Sequence, residues 1–199
     1  MASDTLICNK ALTKLGSARI LTLSDDSKQA ASCNAIYETV RDAELRAHLW
    51  NFSLARASLP SLVSVPDWGF TKEFQLPADC LKVFQVNDIF VGLSLSDYRN
   101  SDESEFAIEQ GKILADFASP LKIRYVKRQT DAGSFDALFV DTLACRMAYE
   151  LAEDLTQSAT KKQSALQDYQ LSIRTAVRNN AIERPPSPIP DDSWMIARL

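Results

Sequence analysis

Hydrophobic residues recur along this chain in two rhythms, and the switch between them divides it into three stretches. Residues 4–15 follow helical spacing, with Leu6, Ile7, Leu12 and Leu15 near one face. Gly16 suits the left-handed position that ends such a helix. After a loop through Ser24, Asp26 with Gln29 three positions on reads as a capping box. It is expected to open a helix of about 30 residues. The ladder Cys33, Tyr37, Val40, Ala43, Ala47, Trp50 and Leu54 alternates steps of three and four, and Leu45, Leu49 and Phe52 widen it toward its end. Pro60 closes the segment.

From about residue 57 to 130 the rhythm becomes that of strands. Phe74 and Leu76 precede Pro77, and residues 81–86 form a short run bounded by Asp79 and Asn87. Residues 106–115 predict a hairpin with a two-residue turn at Gln110–Gly111. That register sets Glu109 opposite Lys112 and Ile108 opposite Ile113. Leu121, Ile123 and Tyr125 alternate with Lys122 and Arg124, giving a last strand with one dry and one basic face.

Helical spacing returns after Thr130. Ser134 is the expected cap of a helix over 135–155, whose stripe is Val140, Ala144, Met147, Leu151 and Leu155. Ser158 caps the next, with Leu166, Tyr169, Ile173 and Val177 on one face. The short joint makes the two antiparallel neighbours. Prolines 185, 186, 188 and 190 then exclude helix and favour an extended run. The expected fold is α+β: an antiparallel helical bundle from residues 1–57 and 134–182, an inserted antiparallel β-sheet domain over 58–133, and a Pro-rich C-terminal arm over 183–199.

Composition narrows the function more than it suggests one. The 199 residues hold five Gly and one His. The glycines are too far apart for a phosphate cradle, and a single histidine excludes zincin spacing. A formal charge of −4 argues against nucleic-acid binding by bulk electrostatics. No apolar run approaches the length of a membrane span. The first residues lack the basic flank and apolar core of a signal peptide, so a protein made in the cytoplasm is expected. Cys8, Cys33, Cys80 and Cys145 show no metal-ligand spacing and are expected to be free thiols, mostly buried.

The residues that could carry chemistry also have plainer readings. His48, beside Leu49 and Trp50, is expected to be a packing or interface histidine rather than a base. The pairs Asp25–Asp26, Glu153–Asp154 and Asp191–Asp192 could serve a two-carboxylate hydrolase, though helix caps and solvated faces explain each. Residues 102–105 form an acidic loop without calcium-loop spacing. Lys122, Arg124, Lys127 and Arg128 are the one basic cluster, suited to an acidic protein patch or to blunting a sheet edge. In the tail, Pro185, Pro186, Trp194, Ile196 and Leu199 suit an arm that docks on a neighbouring subunit or partner, since Trp is a typical anchor and prolines limit the entropy lost. No catalytic, cofactor or metal residue is assigned.

Taken in order, Lys14-Leu-Gly16, Leu21-Thr-Leu-Ser-Asp25, Leu49-Trp-Asn-Phe52, Phe74-Gln-Leu-Pro-Ala-Asp-Cys80, Ile123-Arg-Tyr-Val126 and Phe135-Asp-Ala-Leu-Phe139, with an Ala-rich helix pair after them, form a pattern over about residues 4–182. It resembles the tail tubular protein A family, the head-to-tail adaptors (connectors) of short-tailed bacteriophages. The resemblance implies a virion structural protein forming a homo-oligomeric ring, commonly a dodecamer, beneath the portal protein. The sheet domain would face the tail nozzle protein, and double-stranded DNA would pass through the centre without a membrane contact. An acidic conduit would repel phosphates and so not trap the DNA. The alternative is a virion-associated hydrolase of peptidoglycan or polysaccharide built on a carboxylate pair.

Overall fold

A computed structural model describes residues 2–91 and 105–183. Helix α1 (Asp4–Leu15) starts where the Ser3 hydroxyl accepts from the Leu6 amide. It stops at Gly16, whose φ of 68° lets the chain turn back and bond the Leu12 and Thr13 carbonyls. Asn9 then holds the outgoing loop, giving and taking a 2.8 Å hydrogen bond with the Ile20 backbone. Helix α2 (Lys28–Ala47) is capped by Ser27, not by the Asp26–Gln29 box. Asp25 instead folds its own loop, accepting from the Leu21 and Thr22 amides at 2.6 and 3.1 Å.

Helix α2 is also shorter than its apolar ladder predicts. It ends at Ala47, and the chain then runs extended through His48 into a 3-10 turn at Asn51–Ser53. The buried positions on α2 are Ala30, Cys33, Tyr37, Arg41, Glu44 and Leu45, so Ala43 and Ala47 face out. Trp50 reaches the core from beyond the helix. Its indole N–H meets the Glu44 carbonyl at 3.0 Å, one of the four carbonyls that a helix end leaves without an intrahelical partner.

Strand β1 (Leu54–Leu59) follows where the sequence had suggested helix. With β3 (Cys80–Val86), β4 (Ile89–Phe90) and β7 (Leu121–Lys127) it makes an antiparallel sheet ordered β1-β7-β3-β4. Strands β2 (Lys72–Gln75), β5 (Phe106–Glu109) and β6 (Lys112–Ala115) make a second, ordered β2-β6-β5. The hairpin has the expected register, Glu109 opposite Lys112 and Ile108 opposite Ile113. Gln110 and Gly111 both hold positive φ, 47° and 77°, as the mirror-image hairpin turn requires. Lys112, however, reaches the other way, to Glu73 on β2 at 2.7 Å. One apolar interior joins the sheets: Leu59, Val83, Val86, Leu121, Ile123 and Tyr125 meet Phe74, Ile113 and Ala115.

Helix α3 (Ala137–Thr156) is capped by Asp136, which accepts from the Leu138 and Phe139 amides. Ser134 lies in the 3-10 turn before it. Gln157 takes the left-handed conformation, and Ser158 caps α4 (Ala159–Ile182) as expected. Residues from α1, α2 and α3, with Ala165 and Ala176 of α4, share a second core, against which Leu81 of β3 also packs. It contains a ring cluster of Trp50, Phe52, Phe135 and Phe139, with centroids of contacting rings 5.0–6.3 Å apart. Among the described residues the molecule is therefore α+β, with four helices and two antiparallel sheets.

Two polar ties cross between the cores. Arg128, just past β7, donates from Nε to Asp42 of α2 at 2.8 Å, and the Arg46 guanidinium donates to the Leu81 carbonyl on β3.

Candidate functional site

Antiparallel pairing places cross-strand partners on one face of a sheet, and here it aligns a row across all four strands of the larger sheet. Arg56 of β1 is opposite Arg124 of β7, Arg124 opposite Gln85 of β3, and Gln85 opposite Phe90 of β4. Lys122 lies one pleat further along β7, opposite Ser58. The buried Leu121, Ile123 and Tyr125 fill the interior, so Lys122 and Arg124 take the other side. Their strand therefore has the dry face and the basic face its alternation predicted.

The outer face holds a shallow groove of about 520 Å³ lined by Arg56, Ser58, Gln85, Asn87, Asp88, Lys122 and Arg124 among others. Arg124 is held in place: its guanidinium sits 5.0 Å over the Phe84 ring and donates to the Gln85 side-chain oxygen at 3.1 Å. Arg56 and Lys122 are exposed. Three cations against one carboxylate, Asp88, give this face a net positive charge. It is well short of the long basic track that duplex DNA would need.

The basic residues expected to act together are in fact divided. Lys127 lies 3.7 Å from Asp79, and Arg128 bonds Asp42 and, through its backbone N–H, the Asp79 carbonyl at 2.7 Å. Arg128 thus fastens the sheet to α2. The cluster does not blunt an edge, because β7 lies between β1 and β3. Arg56 belongs to the site although the sequence did not mark it. The alternation Leu54-Ala-Arg-Ala-Ser-Leu59 before Pro60 was the available sign, hidden because Leu54 also continues the spacing of α2.

Compared with known proteins, the chain matches no family model and no curated protein. Its candidate sites therefore rest on geometry.

His48 is half-buried, edge-on to Trp50 with centroids 5.8 Å apart. Burial, with Lys82 nearby, lowers its pKa and favours the neutral ring. The acidic pairs have local partners: Asp154 holds Lys28 and Ser32, and Glu153 holds Lys162. Asp191–Asp192 lies outside the described residues, as do residues 102–104 of the acidic loop and the arm residues Pro185, Pro186, Trp194, Ile196 and Leu199. Cys8, Cys33 and Cys145 are buried free thiols and Cys80 is half-buried. Among the described residues no three potential ligands gather to hold a metal, and no helix is long and apolar enough to cross a membrane.

A buried polar group that the periodicity missed is Glu44, 3% exposed. It accepts from the Tyr169 hydroxyl at 3.0 Å, and burial raises its pKa against the opposing pull of that bond and of Arg146. Arg146 lies 5.3 Å over the Tyr169 ring and pairs with Glu150. This network joins α2, α3 and α4, and it reads as a structural fastening because each polar group in it has a partner.

Proposed function

We propose that this chain is a structural head-to-tail adaptor of a bacteriophage virion. It would be one subunit of a twelve-membered ring between portal and tail nozzle, with double-stranded DNA passing through the centre. In this reading α1–α4 form an antiparallel bundle into which the sheets are inserted as a separate domain, and the C-terminal arm completes the assembly. The order and spacing of the short motifs over residues 4–182 suggest the family. The observation that carries the assembly role is the apolar surface left outside both cores. Val63, Val65 and Trp68 stand exposed within one connection, Phe90 and Ile108 on the sheets, and Leu171 and Ile182 on α4. Scattered exposed apolar residues are ordinary, but three large ones within six positions mark a contact surface.

Negative-stain microscopy and native mass measurement of the pure protein, alone and with portal assemblies, test the reading. Twelve-fold rings support it. A monomer that persists at high concentration and binds no portal assembly refutes it.

A further inference from the structure

The two sheets pack by their inner faces, where Leu121, Ile123 and Tyr125 meet Phe74, Ile113 and Ala115. Strand alternation turns the residues between these to two outer faces, on opposite sides of the sheet pair. One is the grooved face of the larger sheet, with Arg56, Lys122 and Arg124 against Asp88. The other belongs to the smaller sheet. There Glu73 is opposite Leu114 across β2 and β6, and Glu109 is opposite Lys112 across β5 and β6. With the segment from Pro66 to Phe70 these side chains line a pocket of about 260 Å³.

That pocket inverts the charges of the groove. It holds three carboxylates, Asp67, Glu73 and Glu109, against one cation, Lys112. Lys112 is taken by Glu73 at 2.7 Å, and the Ser64 hydroxyl donates to the same carboxylate at 2.6 Å. The acidic excess therefore falls on Asp67 and Glu109, both exposed. In the groove Arg124 is engaged by Phe84 and Gln85, which leaves Arg56 and Lys122 as the exposed cations. Trp68, 87% exposed, follows Asp67 at the pocket and offers a flat ring on which a guanidinium can stack.

We infer that the groove of one copy of this chain seats on the pocket of the next, Arg56 and Lys122 meeting Asp67 and Glu109 with Trp68 as the anchor. The occupant of each face is thus a second copy. Like faces repel, so two copies do not pair symmetrically through either one. Unlike patches on opposite sides of one molecule make a head-to-tail contact, which closes into a ring or runs on as a filament. The inference rests on the proposed ring and names the surfaces that join it.

Charge reversal in the full chain tests this, because each face can be reversed separately. R56E/K122E makes both faces acidic, and D67K/E109K makes both basic. All four positions are exposed, so each variant should keep the circular dichroism of the parent. Sedimentation velocity should show the parent associating and each variant alone associating at least ~100-fold more weakly. An equal mixture of the two variants should associate again, since every groove then finds a pocket of opposite sign. Zero-length carbodiimide coupling of the parent, alone and on portal assemblies, needs no variant. It should join Lys122 to Asp67 or Glu109 in a product of twice the chain mass, as opposite faces of one chain cannot touch. Rings that persist in R56E/K122E overturn the inference and leave the ring reading standing. Variants that associate like the parent, a mixture that stays dissociated, or a parent in which Lys122 links to neither carboxylate each overturn it too. A parent that neither self-associates nor binds portal assemblies overturns both.

Discussion

Trp50 offers the sharpest test of how the helical core is closed. The indole is 1% exposed and touches Phe139 edge-on at 5.0 Å, while its N–H occupies the Glu44 carbonyl at 3.0 Å. Trp50→Ala removes the ring and leaves a cavity among Phe52 and Phe139, a change that costs about 3–5 kcal/mol. Trp50→Phe keeps a ring but leaves a buried carbonyl without its donor, at about 1–3 kcal/mol. In a chain of this length each kcal/mol moves the melting temperature by about 2–4 °C. Trp68, 87% exposed, is the internal control, and Trp68→Ala should change stability by no more than about 0.5 kcal/mol. Urea unfolding followed by far-ultraviolet circular dichroism measures all three on one scale, independently of indole fluorescence. The expected order is Trp50→Ala, then Trp50→Phe, then Trp68→Ala. A Trp50→Phe protein as stable as the parent would show that the N–H bond contributes nothing, and a Trp50→Ala protein as stable as Trp68→Ala would refute the packing itself.

Three further outcomes follow from the polar interior. Burial raises the Glu44 pKa, so its protonated form is favoured by folding; that contribution is fully present below the ordinary Glu pKa and lost as pH rises through the folded one. Glu44→Gln should therefore be more stable than the parent at pH 7 and no different below about pH 4, as read from urea midpoints across pH. Burial, with the Glu44 carboxylate behind it, pushes Tyr169 up to about 12, and burial raises Tyr37 as well. Absorbance at 295 nm should thus show these phenols ionising only well above the usual tyrosine range of about 10, with stability falling as they do. Asp42→Ala removes the acceptor of both Arg128 and the buried Arg41, so it should cost about 3 kcal/mol in urea unfolding and speed proteolysis between α2 and β7; an unchanged midpoint would count against the tie.

Where one local signal acted alone, the sequence was a good guide. Gly16 ends α1, Ser158 starts α4, and Gln110–Gly111 turns the hairpin, because each supplies a conformation or an acceptor that its neighbours cannot. Where two signals competed, tertiary structure decided. Ser134 and Asp136 can each cap a helix, and the 3-10 turn at Ala132–Ser134 leaves Asp136 at the start. Trp50 and Leu54 keep helical spacing with α2, yet one packs from a loop and the other begins a strand. Arg41 and Glu44 are buried one position past the Val40 and Ala43 of the expected ladder, and their partners Asp42 and Tyr169 accompany them. The basic face was visible at Lys122 and Arg124 through strand alternation. Arg56 joined it only through pairing with Arg124, 68 positions later in the chain, a relation that no local pattern carries.

The way the cores draw on the chain has a consequence for biosynthesis. The strands β1 to β7 occupy residues 54–127 and can pair with one another as soon as that stretch is made. The buried side of α1, including Ile7, Leu12 and Leu15, shares its core with Phe139, Leu143 and Met147 of α3, which are synthesised after both sheets. Helices α1 and α2 thus leave the ribosome before the sheets and α3, and are covered only after them. Their apolar faces wait through the synthesis of both sheets, and that interval is when a nascent chain of this kind most needs a chaperone.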